Sequence, residues 1–196
     1  MTRLVTFGCS CTYGEELDEL TDAWPNVLAN FLNIDVKNEG KPGSSNLEIL
    51  YKILNFNFQE DDIVVIMWTY YSRDYLFKTP THQYSIGPWS QDINDLTAWA
   101  SLHTDHDLIM RSFINIHHAH SYLSLLNLKN YHTTVGIRRE QTYNPGSLPP
   151  SFFKFKLHSV EKIFARGGKL KRGHPDKLTH SLMAKEIYDF ISRTTL

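Results

Sequence analysis

Ser10 sits inside FGCSCTYG, residues 7–14, flanked by the only two cysteines of the chain and by two glycines, directly after an apolar run. A neutral hydroxyl is a poor nucleophile unless a base removes its proton and N–H donors hold the oxyanion that forms. Gly8 and Gly14 allow a sharp exit from strand to helix. A serine at such an exit lies where the first free N–H groups of the next segment can point at a substrate oxygen. A glycine-rich turn after a first strand also serves as a plain turn or as a phosphate site, and residues 7–14 alone leave these readings open. No P-loop lysine follows Gly14, which disfavours the phosphate reading.

Other residues invite chemistry less strongly. His103 with His106, and His117 with His120, would share a helix face, but two ligands do not make a metal site, and a solvated face explains both pairs. Cys9 and Cys11 are too close for an ordinary disulfide and read as small packing residues beside the serine. The segment WTYYSRDYLFKTPTHQYSIGPW (68–89) is dense in aromatic residues. Tyr70, Tyr71, Tyr75 and Trp89 are candidates for stacking on a sugar or lining an acyl pocket, with self-packing of the loop as the competing account. ARGGKLKRGHPDK (165–177) reads as a solvated basic loop after a helix stop at Gly167-Gly168, an anionic substrate being the alternative.

The elements that must position these residues follow from the apolar pattern. RLVTFG (3–8) and DDIVVIMWT (61–69) are continuous apolar runs of the kind that parallel strands covered on both faces require. Between them lie two helical patterns, 23–33 and 44–56. The second opens on a capping box, Ser45 with Glu48 three residues on. Residues 95–129 look helical with a break, 131–138 look like a later strand, and TYNPGSLPP (142–150) is a loop. A last helix opens at HPDKLTH with Pro175 in its first turn and buries Ala184, Ile187 and Ile191.

Strands alternating with helices predict crossover units in an α/β architecture. At 196 residues, 41% apolar and 21% charged, the chain suits one soluble domain. A net charge of −1 supplies no global field for nucleic acid or an anionic membrane. A strand pattern starting at the N-terminus, no membrane-length run and no oxidised cysteine framework predict a cytoplasmic product.

Three stretches, in order, resemble the conserved blocks of the SGNH (GDSL-type) hydrolases. GCSCTYG matches block I with Cys9 where that family usually has Asp, and the resemblance makes Ser10 the nucleophile. NEGKPGSSN (38–46) is similar to block II, with Asn38 and Gly43 at its spacing, and Gly43 then matches the oxyanion glycine. GHPDKLTHSLMAKEI (173–187) is similar to the last block, in which a catalytic His precedes Pro, and His174 takes that role. His180 shares a stripe with Ala184, Ile187 and Ile191 and reads as a core histidine.

Two positions depart from the pattern. Block III, normally G-x-N-D, falls in MWTYYSRD (67–74), where no Asn occurs. Thr69, Ser72 or Arg73 would have to supply the missing donor, and the W-T-x-x-S-R run resembles small phage-encoded members. Asn94, in IND (93–95), reads instead as part of a helix cap. The acid that usually stands three residues before the histidine is replaced by Lys171. Asp176 is the nearest acid, with a first-turn carboxylate as its plainer role and a backbone carbonyl as another acceptor for the ring.

The resemblance implies a three-layer α/β/α sandwich, flavodoxin-like, with a short, mainly parallel sheet and the site at the strands' C-terminal edge. It implies ester hydrolysis through Ser10 and His174, on a small-molecule or carbohydrate ester, with no metal or organic cofactor. The competing expectation is a degenerate SGNH-like domain that binds a carbohydrate or a protein without turnover, in a phage particle for example. No nucleic-acid or membrane partner is expected.

Overall fold

The computed structural model describes residues 2–79, 82–87, 102–135, 157–170 and 172–194. Five strands form one parallel sheet in the order β2-β1-β3-β6-β7: β1 (Arg3–Gly8), β2 (Asp35–Asn38), β3 (Ile63–Trp68), β6 (Lys129–Thr134) and β7 (Leu157–Ser159). The helices are α1 (Ser10–Tyr13), α2 (Trp24–Leu32), α3 (Asn46–Leu54), α4 (Asp105–Leu125), α5 (Glu161–Arg166) and α6 (Lys177–Thr194). A separate antiparallel ribbon joins β4 (Asp74–Thr79) to β5 (His82–Ile86).

The alternation of side chains along the central strands explains the layers. Val5, Phe7, Val64, Ile66 and Trp68 point to one face and pack with Ile49 and Ile53 of α3 and Phe113, Ile116 and Leu123 of α4. Leu4, Val65 and Met67 point to the other, against Trp24 and Leu28 of α2 and Met183, Ala184 and Ile187 of α6. Each fully buried large side chain contributes about 1.5–3 kcal/mol, so both faces are held as firmly as a parallel sheet needs. The predicted three-layer α/β/α sandwich is therefore the observed one.

Several boundaries differ from the pattern. The long helix begins at Asp105, because the Thr104 hydroxyl accepts the Asp107 N–H at 3.2 Å and caps it there; residues 95–101 lie outside the described ones. Strand β6 starts at Lys129, and the expected continuation through 136–138, the loop 142–150, Trp89, Asn94 and Lys171 also lie outside them. Aromatic residues expected in a loop at 74–86 instead pair as the β4/β5 ribbon, in keeping with their strand propensity. Pro175 precedes the last helix and bridges Lys169; Asp176 caps that helix by accepting the Thr179 N–H at 2.8 Å. Among the described residues no helix is long and apolar enough to cross a membrane.

Two histidines are sealed in the core in neutral form. Burial pushes His132 down to about 3, and its Nδ1 accepts the Trp68 indole N–H at 3.0 Å. Burial likewise pushes His180 down to about 4, and its Nδ1 accepts the Trp24 backbone N–H at 3.1 Å, satisfying the start of α2. An unfolded histidine titrates near 6.5, so between about pH 6.5 and 4 the unfolded chain binds protons that the folded one refuses. Stability is complete above that window and is lost as pH falls through it. Glu16, Asp107 and Asp176, each held below the usual carboxylate range, add a loss of the same sign at the acidic end of this window. We predict that the unfolding midpoint drops by about 10–20 °C between pH 7 and pH 4.5; a midpoint that holds steady in a pH series would contradict this.

Candidate active site

The strand order reverses between β1 and β3, and in open α/β sheets the crevice at that point, outside the strands' C-terminal ends, is the usual ligand site. Ser10 stands there. Strand β1 ends at Gly8, where an added Cβ would lie 2.0 Å from Thr12 Oγ1, so only glycine lets the next turn fold back this tightly. Cys9 is extended and caps α1, its carbonyl accepting the N–H groups of Thr12 and Tyr13 at 2.9 and 3.0 Å. Ser10 thus occupies the first helical position, where the backbone N–H has no intrahelical acceptor. Ser10 is largely buried, and its hydroxyl makes a weak contact with Cys9 Sγ at 4.0 Å. Both thiols are free and buried; Cys9 is the more acidic, because Cys11 donates to it and Arg73 adds a positive field.

Two asparagines lock the neighbouring turns onto this one. Asn38, at the end of β2, accepts the Gly40 N–H at 2.9 Å and donates to the Thr12 carbonyl at 2.8 Å. The Lys41 N–H reaches the Gly8 carbonyl at 3.0 Å, drawing the loop before α3 alongside α1. Gly43 has φ +76°, a backbone that side-chain-bearing residues rarely adopt. The Ser45 hydroxyl then accepts the Glu48 N–H at 3.2 Å and starts α3, while Glu48 itself is buried and paired with Lys41.

Asn46 ties the exit of β3 to the same cluster. Its Oδ1 accepts the Thr69 N–H at 2.8 Å, and its Nδ2 donates to the Thr69 carbonyl at 3.1 Å and to Ser112 Oγ at 3.0 Å. Replacing Asn46 by alanine strands buried backbone groups, each worth roughly 1–3 kcal/mol when orphaned. We predict a loss of about 3 kcal/mol in a urea titration of Asn46→Ala; an unchanged midpoint would show that these bonds are not needed.

Of the three candidate replacements for the missing block III donor, Thr69 has its N–H engaged by Asn46, while its side chain is buried beside the Cys9 thiol. Ser72 is half-buried in the turn after β3. Arg73 extends its guanidinium to the Ser44 carbonyl at 3.5 Å and over the Tyr70 ring at 5.3 Å. Tyr71 and Tyr75 pack inward, Tyr75 against Tyr51 at 6.4 Å between ring centroids. The His103 pair resolves as surface contacts, His103 to Asp107 at 2.5 Å and Arg111 to Asp107 at 2.8 Å. Among the described residues no group of three metal-ligating side chains converges.

His174 arrives from the other end of the chain on a tight hairpin. Leu170 N–H donates to the His174 carbonyl at 2.7 Å, Gly173 N–H to the Leu170 carbonyl at 2.9 Å, and Gly173 takes φ +86° to close the turn. The ring lies beside the segment that follows α1. Its Nδ1 is 2.8 Å from Glu16 Oε2, and its Nε2 is 3.4 Å from Glu15 Oε2. Helix α1 has four residues and spans only about 6 Å, so the two glutamates that meet His174 follow Ser10 by five and six positions in the chain.

Asp176, the acid nearest in sequence, does not take this position. One of its carboxylate oxygens caps α6, and the side chain packs against Gly168, where an added Cβ would be 1.9 Å from Asp176 Oδ2. Sequence reasoning missed Glu15 and Glu16 because nothing in GEELDE distinguishes them from solvated acids. A depression of about 490 Å³, lined by Ala29, Asn33 and Asp35 among others, opens at the opposite, N-terminal edge of the sheet.

No protein-family model and no curated protein matches the chain in sequence. Solved structures do match in shape. A member of the lipolytic protein G-D-S-L family from Veillonella parvula superposes with a TM-score of 0.55 at 12% identity, over 98% of this chain and 100% of that one. The psychrotrophic esterase EstA from a Pseudoalteromonas species gives 0.57 at 14% identity, over 98% of each chain. A family two carbohydrate esterase from Clostridium thermocellum, solved with cellohexaose, gives 0.56 at 14% identity over 99% of this chain and 64% of that one. The architecture is the SGNH hydrolase fold.

Proposed function

We propose that this protein is a serine ester hydrolase. Ser10 Oγ attacks the ester carbonyl carbon while His174 Nε2 takes its proton, and the oxyanion is held by the N–H groups of Ser10 and Gly43. A third donor comes from the turn after β3; Thr69 supplies its hydroxyl, with Arg73 adding positive charge beside it. His174 then returns the proton to the leaving alcohol, and water, activated by the same ring, releases the acyl group. No metal or organic cofactor enters this scheme. The observation that supports the reading is the contact of His174 with Glu15 and Glu16, in the segment that follows the short helix beginning at Ser10.

A small-molecule or carbohydrate ester fits the site best, since the neighbours in shape include a carbohydrate esterase solved with a sugar chain. One observation favours the competing reading, binding without turnover: the Glu15 carboxylate lies 3.4 Å from the nitrogen that must accept the serine proton. Incubation with a 4-nitrophenyl phosphonate ester, followed by peptide mass mapping, separates the two. A phosphonyl adduct on Ser10, with nitrophenolate released from 4-nitrophenyl acetate or acetate from an acetylated sugar, supports the hydrolase. An unmodified Ser10 together with no ester turnover supports the binding module.

A further inference from the structure

An imidazole that accepts a proton at Nε2 must carry its own proton at Nδ1, and a carboxylate facing Nδ1 selects that tautomer and stabilises the imidazolium. The position from which this fold usually supplies the acid holds Lys171, and Asp176 caps a helix. Glu16 has the contacts that the missing acid would need. Its Oε2 lies 2.8 Å from His174 Nδ1, and the Arg172 N–H donates to both carboxylate oxygens, at 3.0 and 2.9 Å.

We propose that Glu16 is the positioning carboxylate of His174, supplied by the segment after the nucleophile turn rather than by the histidine's own block. Three observations converge on it. The carboxylate is held on two sides, by the ring and by the backbone of the hairpin that carries the ring. The backbone of Glu16 adopts φ +71°, a conformation uncommon for a residue with a side chain, which turns that chain toward the hairpin. And although some desolvation opposes ionisation, hydrogen bonds from His174 and the Arg172 N–H hold Glu16 below the usual carboxylate range, so it is an acceptor at neutral pH. Glu15, at 3.4 Å from Nε2, is beyond ordinary hydrogen-bond length and acts through its field alone.

The catalytic part of this inference rests on the hydrolase reading; the tautomer part does not. The test uses nitrogen-15 NMR of the His174 ring in the whole protein, beside steady-state kinetics, for the wild type, Glu16→Gln, Glu16→Asp and Glu15→Gln. Glu16→Gln keeps an oxygen to accept the Arg172 N–H, so the fold is retained and is checked by its unfolding midpoint. The wild-type ring is expected as the Nδ1–H tautomer at high pH, a preference that Glu16→Gln loses and Glu15→Gln keeps. Glu16→Gln is expected to lower kcat by about 10²–10⁴-fold with KM nearly constant, and Glu16→Asp to recover part of it. Turnover in the wild type with the tautomer and kcat unaltered in Glu16→Gln would overturn the inference and leave the hydrolase standing. A changed tautomer in a protein without ester turnover would do the reverse.

Discussion

Ser10→Ala is expected to abolish ester turnover, lowering kcat by on the order of 10⁴–10⁶-fold, while the unfolding midpoint stays within about a degree of wild type. The two halves of this expectation have separate causes. The hydroxyl is the only protein group in the scheme that forms a bond to the acyl carbon, so its removal leaves at most the polarisation supplied by the oxyanion donors. Its structural contribution is small, because its hydroxyl makes only weak contacts with the neighbouring thiols and the backbone of α1 is held by Cys9 and Gly14 instead. Burst kinetics with 4-nitrophenyl acetate measure the first half and a thermal melt the second. Measurable activity that survives in Ser10→Ala would sink the assignment of this serine.

Replacing His174 by alanine is expected to lower kcat by about 10²–10⁴-fold, the usual worth of a positioned base. KM should move little, since the ring takes a proton rather than holding the ester. The melting behaviour is less neutral than for Ser10. Glu16 loses one of its partners, and the contact between the hairpin and the segment after α1 is reduced to the Arg172 N–H. A small drop in the unfolding midpoint is expected on that account, since the bond lost is charge-assisted but partly exposed to solvent. If His180→Gln reduced kcat as strongly and His174→Ala not at all, the base would be misassigned. The burial of His180 and its bond to the Trp24 N–H argue against that outcome.

The layers of the fold were legible because they depend on local periodicity. The run IVVIMW has no polar residue to turn toward water, which dictates a strand covered on both sides, and it is β3 at the centre of the sheet. The Ser45 cap before α3 was legible for the same reason, since its hydroxyl and the N–H that it bonds are three residues apart. The ribbon at 74–86 was not, because an aromatic-rich stretch reads equally as a strand or as a self-packed loop until a partner strand is known. The amide of Asn46 illustrates a further limit. Its three bonds reach Thr69 and Ser112, and nothing nearby in the chain signals them.

By itself the amino-acid sequence determined the α/β class, the sharp glycine-bounded turn that presents Ser10, and the three blocks whose order resembles an SGNH hydrolase. Each of these signals is encoded locally, in residues a few positions apart within its own segment. Which carboxylate meets His174 was decided only by tertiary structure. Glu16 and His174 are 158 positions apart, and they meet because the parallel sheet gathers its turns at one edge and a hairpin closed by Gly173 swings the ring across. Contacts between distant segments leave no periodic trace along a single chain, so the nearest acid in sequence, Asp176, was the visible candidate while the nearest acid in space was not.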